Sequence, residues 1–125
     1  MKRTSSILLA AVLGLSACSS GGSSSASGYG TPSDLATKVG CAGYTSVEVQ
    51  VYVQQAGKCT MGGQTLYLYV FASADDRTKY AKVATDVIKA GAPGYFGGGS
   101  TWIINGLDKD ATTKAVTAAG GAMDT

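Results

Sequence analysis

The sequence predicts a small α+β domain, with a mostly antiparallel sheet and helices that cover one of its faces. Two observations indicate this class: apolar residues alternate in some segments, as in half-buried strands, and recur at helical spacing in others. The predicted order is helix, three strands, helix, strand and helix. The 125-residue chain has no histidine, which excludes imidazole chemistry. Its formal net charge of +2 comes from Lys2 and Arg3, and the net charge is zero without residues 1–17, which argues against a nucleic-acid surface.

Each predicted helix begins at a side chain that can accept a hydrogen bond from a backbone amide, and each ends at a glycine. The first and last residues of these segments are Thr31 and Gly40, Ser73 and Gly91, and Asp108 and Gly120. Asp34 and Asp76 follow the first two caps at the spacing of a capping box. The three helices are therefore expected to start where these caps stand.

Alternation of apolar and polar residues predicts the strands. Residues 47–53 place four valines on one face, and residues 65–71 place aliphatic side chains on one face and aromatic ones on the other. A short strand over residues 58–61 is expected between them, after a turn at Ala56-Gly57 and before a hairpin turn. These three strands are predicted to form an antiparallel meander, and residues 101–105 a fourth strand.

Aromatic side chains are the candidate partner surface. Tyr52, Tyr67 and Tyr69 fall opposite the aliphatic face, where they would either stabilise the sheet by cross-strand contacts or bind a partner. Residues 94–100 are predicted to be a mobile surface loop whose Tyr95 and Phe96 are exposed to a partner. This glycine-rich segment follows a helix and precedes a strand, the reverse of a phosphate-binding loop, so no nucleotide is expected.

The N-terminus has the three parts of a secretory signal peptide. Lys2 and Arg3 supply positive charge, a nine-residue apolar run follows at residues 7–15, and the run is too short to span a bilayer. Residues 15–18 read Leu-Ser-Ala-Cys, which resembles the lipobox of bacterial lipoproteins. The resemblance implies that the chain is cleaved before Cys18 and that this cysteine is lipidated. The protein would then be anchored to the cell membrane on its extracytoplasmic side.

Three cysteines are an odd number for a secreted chain. If Cys18 carries lipid, Cys41 and Cys59 remain, and their spacing matches no zinc site. We therefore expect a structural disulfide between them, which would join the first helix to the sheet.

Composition divides the chain into three predicted parts. Residues 1–17 are the signal peptide, and residues 18–30 comprise the lipidated cysteine and a tether rich in serine and glycine. Such a flexible tether spans about 20 Å. Residues 31–125 form the small α+β domain.

No set of nucleophile, base or metal ligands is recognisable, so no catalytic residue, metal or cofactor is predicted. The layout of the chain is similar to that of small single-domain lipoproteins of actinobacteria and their prophages. We expect a non-enzymatic interaction module, whose partners are the membrane, through its lipid, and a protein of the envelope or of a phage. The alternatives are a surface-exclusion or inhibitor lipoprotein and, more distantly, a small envelope hydrolase.

The lipobox generates the first prediction. Replacing Cys18→Ala should abolish fatty-acid labelling and release the protein from the membrane fraction, because stable attachment of such lipoproteins depends on two or more acyl chains. Metabolic labelling and fractionation of both forms would measure this. Equal membrane retention of the two forms, with no label in either, would contradict lipidation.

Overall fold

The computed structural model describes residues 28–124. In this range the helices are α1 (Pro32–Val39), α2 (Ala74–Lys89) and α3 (Lys109–Ala118). The strands are β1 (Ala42–Ser46), β2 (Gln55–Met61), β3 (Gln64–Val70), β4 (Tyr95–Gly98), β5 (Trp102–Gly106) and β6 (Ala122–Met123). They form one antiparallel sheet in the order β1-β2-β3-β5-β4-β6. The α+β class is confirmed. The predicted signal peptide and the predicted lipidation site, Cys18, lie outside the described residues.

The N-terminal caps of the three helices form as the sequence predicts, whereas the C-caps of α2 and α3 are Ala90 and Ala119, one residue before the predicted glycines. The hydroxyl oxygens of Thr31 and Ser73 accept hydrogen bonds of 3.1 Å from the backbone amides three residues later. A carboxylate oxygen of Asp108 accepts one of 2.8 Å from the amide of Ala111. Gly40 ends α1 with a φ of 74°, in the left-handed region that glycine adopts readily. These interactions are local, and for that reason the sequence displays them clearly.

The first strand of the meander is not at residues 47–53, so that prediction is wrong. This segment is the connection between β1 and β2, where the amide of Val53 donates to the carbonyl of Gln50 at 3.1 Å. Tyr52 has a φ of 71°, which is incompatible with a regular strand. The chain must reverse direction here, and Ala42–Ser46 pairs with β2 instead. The predicted turn at residues 56–57 lies inside β2.

Helices cover both faces of the sheet, whereas the sequence predicted one covered face. Leu66 and Leu68 of β3 belong to a core that includes residues of α1 and α3. On the opposite face, Tyr69 and Phe71 pack against Tyr80 of α2, with ring centroids 5.3 and 5.5 Å apart. Both faces of β3 are apolar, so each requires a covering layer.

A disulfide joins Cys41 to Cys59, as predicted, with their Cα atoms 5.7 Å apart. Cys41 lies just after α1 and Cys59 lies in β2, so the bridge connects the first helix to the sheet. A disulfide that closes a loop of this size contributes about 3 kcal/mol to the free energy of unfolding in the chain-entropy model. Because Cys59 is also buried in the core shared with α1 and α3, its role is structural.

Residues 94–100, predicted as a mobile loop, contain strand β4. Its glycines allow neighbouring backbones to approach closely: a Cβ at Gly97 would collide with β6, and one at Gly98 with the carbonyl of Trp102. Hydrogen-bonded pairing with β5 and β6 holds the segment in place. The glycine run thus serves close strand packing.

The described chain begins inside the segment predicted as tether, residues 18–30, and differs from that prediction at Tyr29. The ring of Tyr29 packs edge-on against Trp102, with centroids 5.5 Å apart, and its hydroxyl donates to the carbonyl of Ala119 at 2.8 Å. Tyr29 is therefore part of the folded domain.

Arg77 of α2 holds the C-terminal end of the chain. Its guanidinium donates two hydrogen bonds, of 2.8 and 2.7 Å, to the carboxylate of Asp124. Its Nε donates to the carbonyl of Gly99 at 2.9 Å. The amide of Asp124 in turn donates to the carbonyl of Phe96 in β4. One side chain thus connects α2 with the β4–β5 turn and with the segment after β6.

Replacing Arg77→Ala should lower the free energy of unfolding by about 2 kcal/mol, because it removes three charge-assisted hydrogen bonds at a partly buried position. Urea denaturation would measure the change. The control is Lys82→Ala, which breaks an exposed ion pair with Asp86 and should cost less than about 0.5 kcal/mol. Equal losses in the two variants would contradict this role of Arg77.

Candidate interaction cleft

A cleft of about 270 Å³ lies between α2, the β1–β2 connection and the sheet face that carries the tyrosines. We call it the α2 cleft. Val83 and Val87 of α2 form one side, and Val51 of the β1–β2 connection contributes to the lining. Tyr69 and Tyr80 also line it, from β3 and α2 respectively.

The way in which α2 packs on the sheet explains the cleft. Of its sixteen residues, Tyr80 is the buried one, and Ala81, Ala84 and Ile88 are half-buried against the sheet. Val83 and Val87 stand four residues apart on one flank of the same helix, and 44% and 51% of their surfaces are exposed. The apolar face of α2 is therefore wider than its contact with the sheet.

Polar groups line the cleft beside the buried tyrosines. The hydroxyl of Tyr80 donates to Oε1 of Gln50 at 3.4 Å, and the ring of Tyr69 packs beside that of Tyr80, with centroids 5.3 Å apart. The side chain of Asn105 on β5 also lines the cleft. Burial raises the pKa of both tyrosines above the ordinary value of 10.0. Both hydroxyls are therefore protonated near neutral pH, where they act as neutral hydrogen-bonding groups.

Of the predicted partner residues, Tyr69 and Phe96 are buried, so the expectation that both are exposed is wrong. Tyr69 lies beneath α2 because that helix covers the aromatic face of the sheet, and Phe96 points from β4 into the same core. Tyr95 is half-buried on β4. These side chains therefore do not form one open tyrosine face.

Tyr52 and Tyr67 remain exposed, but they lie in different places. Tyr52 is in the β1–β2 connection, with the Lys79 ammonium 5.9 Å from its ring centroid. Tyr67 is on β3, opposite Asn105 in the pairing with β5. Tyr52 stands beside the α2 flank, whereas Tyr67 borders a separate depression near Leu107.

Sequence reasoning missed Val51, Val83 and Val87 as candidate site residues. The helical apolar pattern favours a core position for Val83 and Val87, and the alternation over residues 47–53 favours one for Val51, so neither pattern indicates that they are exposed. The signal that could have identified them is the width of the apolar stripe on α2. Apolar residues at positions 80, 83, 84, 87 and 88 form a wider stripe than the part of a helix surface that can contact one sheet.

A second, larger depression of about 620 Å³ lies between Tyr29 and the end of α3. Asp34 and Lys38 of α1 border it, so its lining is more polar than that of the α2 cleft. Gly28, the first described residue, forms part of its edge. We take the α2 cleft as the candidate site, because its lining is more apolar and includes the exposed valines of α2 and of the β1–β2 connection.

Within residues 28–124, no group of three or more His, Cys, Asp or Glu residues could hold a metal ion. No helix in that range is both long enough and apolar enough to cross a bilayer. Comparison with known protein families, curated proteins and solved structures finds no match to this chain. The function is therefore inferred from the geometry of the α2 cleft and from the sequence of the N-terminus.

The buried tyrosines predict a pH dependence of stability. Their folded-state pKa values are raised, so their contribution to stability is complete below about pH 10 and is lost as the pH rises towards the raised values. Between about pH 8 and about pH 11, the free energy of unfolding should fall less in Tyr69→Phe/Tyr80→Phe than in the unmodified protein. Urea titrations at both pH values would measure this, with Tyr52→Phe as the exposed control. Identical pH profiles of the double variant and the unmodified protein would contradict the assignment.

Proposed function

We propose that this chain is a lipid-anchored interaction module on the extracytoplasmic side of the cell membrane, without catalytic activity, and that it binds another protein at the α2 cleft. The anchor is supported by the signal-peptide pattern and by the lipobox resemblance at residues 15–18. The single observation that carries the binding role is the set of exposed valines along the cleft, Val51, Val83 and Val87.

A protein partner suits this cleft better than a small molecule. Small-molecule sites usually enclose about 300–1,000 Å³, and the α2 cleft, at about 270 Å³, is smaller and open on one side. Its apolar surface continues outwards onto Val51, which is 62% exposed. Contiguous exposed apolar surface with a polar rim is typical of protein–protein contacts.

The chemistry of the cleft supports a binding role over a catalytic one. Nearby carboxylates form ion pairs, Asp75 with Lys79 at 3.0 Å and Asp86 with Lys82 at 3.1 Å. Burial raises the pKa values of Tyr69 and Tyr80, so neither hydroxyl is poised as a base near neutral pH. These groups can fix the orientation of a bound segment through hydrogen bonds.

Site-specific photo-crosslinking tests this function. A photoreactive amino acid at position 83 of the full membrane-anchored chain should give a discrete covalent adduct with a protein. The matched control places the same group at Lys114, an exposed position on α3 across the sheet. No adduct at position 83, or equal adducts at both positions, would contradict the proposal. The identity of the adduct distinguishes an envelope partner from a phage protein or an inhibited enzyme, as the alternative of surface exclusion or inhibition requires.

A further inference from the structure

We infer that the protein bound at the α2 cleft is a second copy of this chain, packed antiparallel along α2 about a two-fold axis near Val83. This inference rests on the proposed interaction role and names its partner. The order of charged and apolar side chains on the exposed flank of α2 supports it.

Five residues of α2 and its C-terminal cap follow one another at alternating spacings of three and four residues. They are Asp76, Lys79, Val83, Asp86 and Ala90. This spacing aligns side chains in one stripe along a helix, and it is the pattern by which two helices pack along a common seam. We call this stripe the α2 seam. Val83 of this seam lines the α2 cleft, and the Lys79 and Asp86 side chains on either side of it are more than half exposed.

The charges of the α2 seam are complementary to those of its own reversed copy. Lys79 precedes Val83 by four residues, and Asp86 follows Val83 by three. When two copies run antiparallel with their Val83 side chains in contact, Lys79 of each lies across from Val87 of the other and within reach of Asp86, which is one residue nearer the axis. A two-fold axis therefore generates two opposite-charge contacts, as an interface between identical surfaces requires.

The same arrangement covers the exposed valines. Val83 would contact its symmetry mate, and Val87 would pack against the aliphatic stem of Lys79 from the other copy. Val51 of the β1–β2 connection lines the cleft beside Val83 and Val87, so it would lie at the margin of the contact. Because the axis is two-fold, each contact between two different residues occurs twice in the interface.

The ion pairs that Lys79 and Asp86 form within one chain do not prevent them from pairing with a second copy. Lys79 pairs with Asp75 and Asp86 with Lys82, and all four side chains are more than half exposed. Exposed pairs at this helical spacing are worth about 0.3–0.5 kcal/mol. Their side chains can reorient towards a second copy at little cost.

Cysteine cross-linking provides the first test. Val83→Cys in the full-length protein should form an intermolecular disulfide, because residue 83 of each copy faces residue 83 of the other. Lys114→Cys is the control and should stay monomeric on non-reducing gels. Val83 is 44% exposed, so the substitution does not open the core. A Val83→Cys protein that stays monomeric would overturn the inference.

Charge reversal provides the second test and identifies the antiparallel register. Within the Val83→Cys background, Lys79→Asp or Asp86→Lys should lower the cross-linked fraction by about tenfold or more, because each places like charges in contact twice. Combining both reversals in one chain should restore it. The two singly reversed chains should also cross-link with each other when co-expressed, because every contact between them pairs opposite charges. Circular dichroism of each variant would verify folding.

The outcomes separate this inference from the proposed function. A photo-crosslinked adduct of twice the monomer mass, together with charge-reversal rescue, supports the second copy. An adduct with a different protein would overturn the second copy and leave the interaction role in place. Absence of any adduct at position 83 would overturn both. Charge reversals without effect on the cross-linked fraction would overturn the antiparallel pairing.

Discussion

The two-faced character of β3 is the constraint on which the remaining structure depends. Its aliphatic residues Leu66 and Leu68 and its aromatic residues Tyr67 and Tyr69 point to opposite sides, because side chains alternate along a strand. β3 is central in the sheet, between β2 and β5, so most of both faces must be removed from water. The three-layer arrangement, with α1 and α3 on one face and α2 on the other, follows from this requirement.

The chemistry of each face determines how closely its helices pack. On the aliphatic face, Leu35 of α1 and Val116 of α3 are fully buried, and the disulfide holds α1 against β2. On the aromatic face, the rings of Tyr69 and Tyr80 stand between α2 and the strands, and their hydroxyls require hydrogen-bonding partners. Polar groups therefore remain beside α2, and less of the apolar surface of this helix contacts the sheet. The α2 cleft is a consequence of that narrower contact.

The features that the sequence predicts correctly are mainly those with local causes. The caps at Thr31, Ser73 and Asp108 depend on residues within one helical turn, and the alternation in β3 identifies its faces directly. The valine alternation over residues 47–53 misleads, because a period of two also occurs in a connection that reverses the chain. The prediction of a mobile loop from the glycines of β4 fails for a different reason. These glycines allow close approach of the backbones of β5 and β6, and β6 is distant from β4 in the sequence. The cleft could not be predicted, since it arises from the position of α2 relative to residues of three other segments.

The exposed valines of α2 have no evident role in holding a single copy together. Tyr80, together with the half-buried alanines and Ile88, makes the helix contact with the sheet, whereas Val83 and Val87 lie on its flank. Valine also has lower helix propensity than lysine, glutamate or alanine, so its presence at two exposed helical positions does not serve helix formation. Both valines expose about half of their surface, and Val83 stands between the opposite charges of Lys79 and Asp86; the proposed contact with a second copy would cover them. In the proposed antiparallel contact, the same two valines that lower the helix propensity of α2 would be removed from water by a second copy.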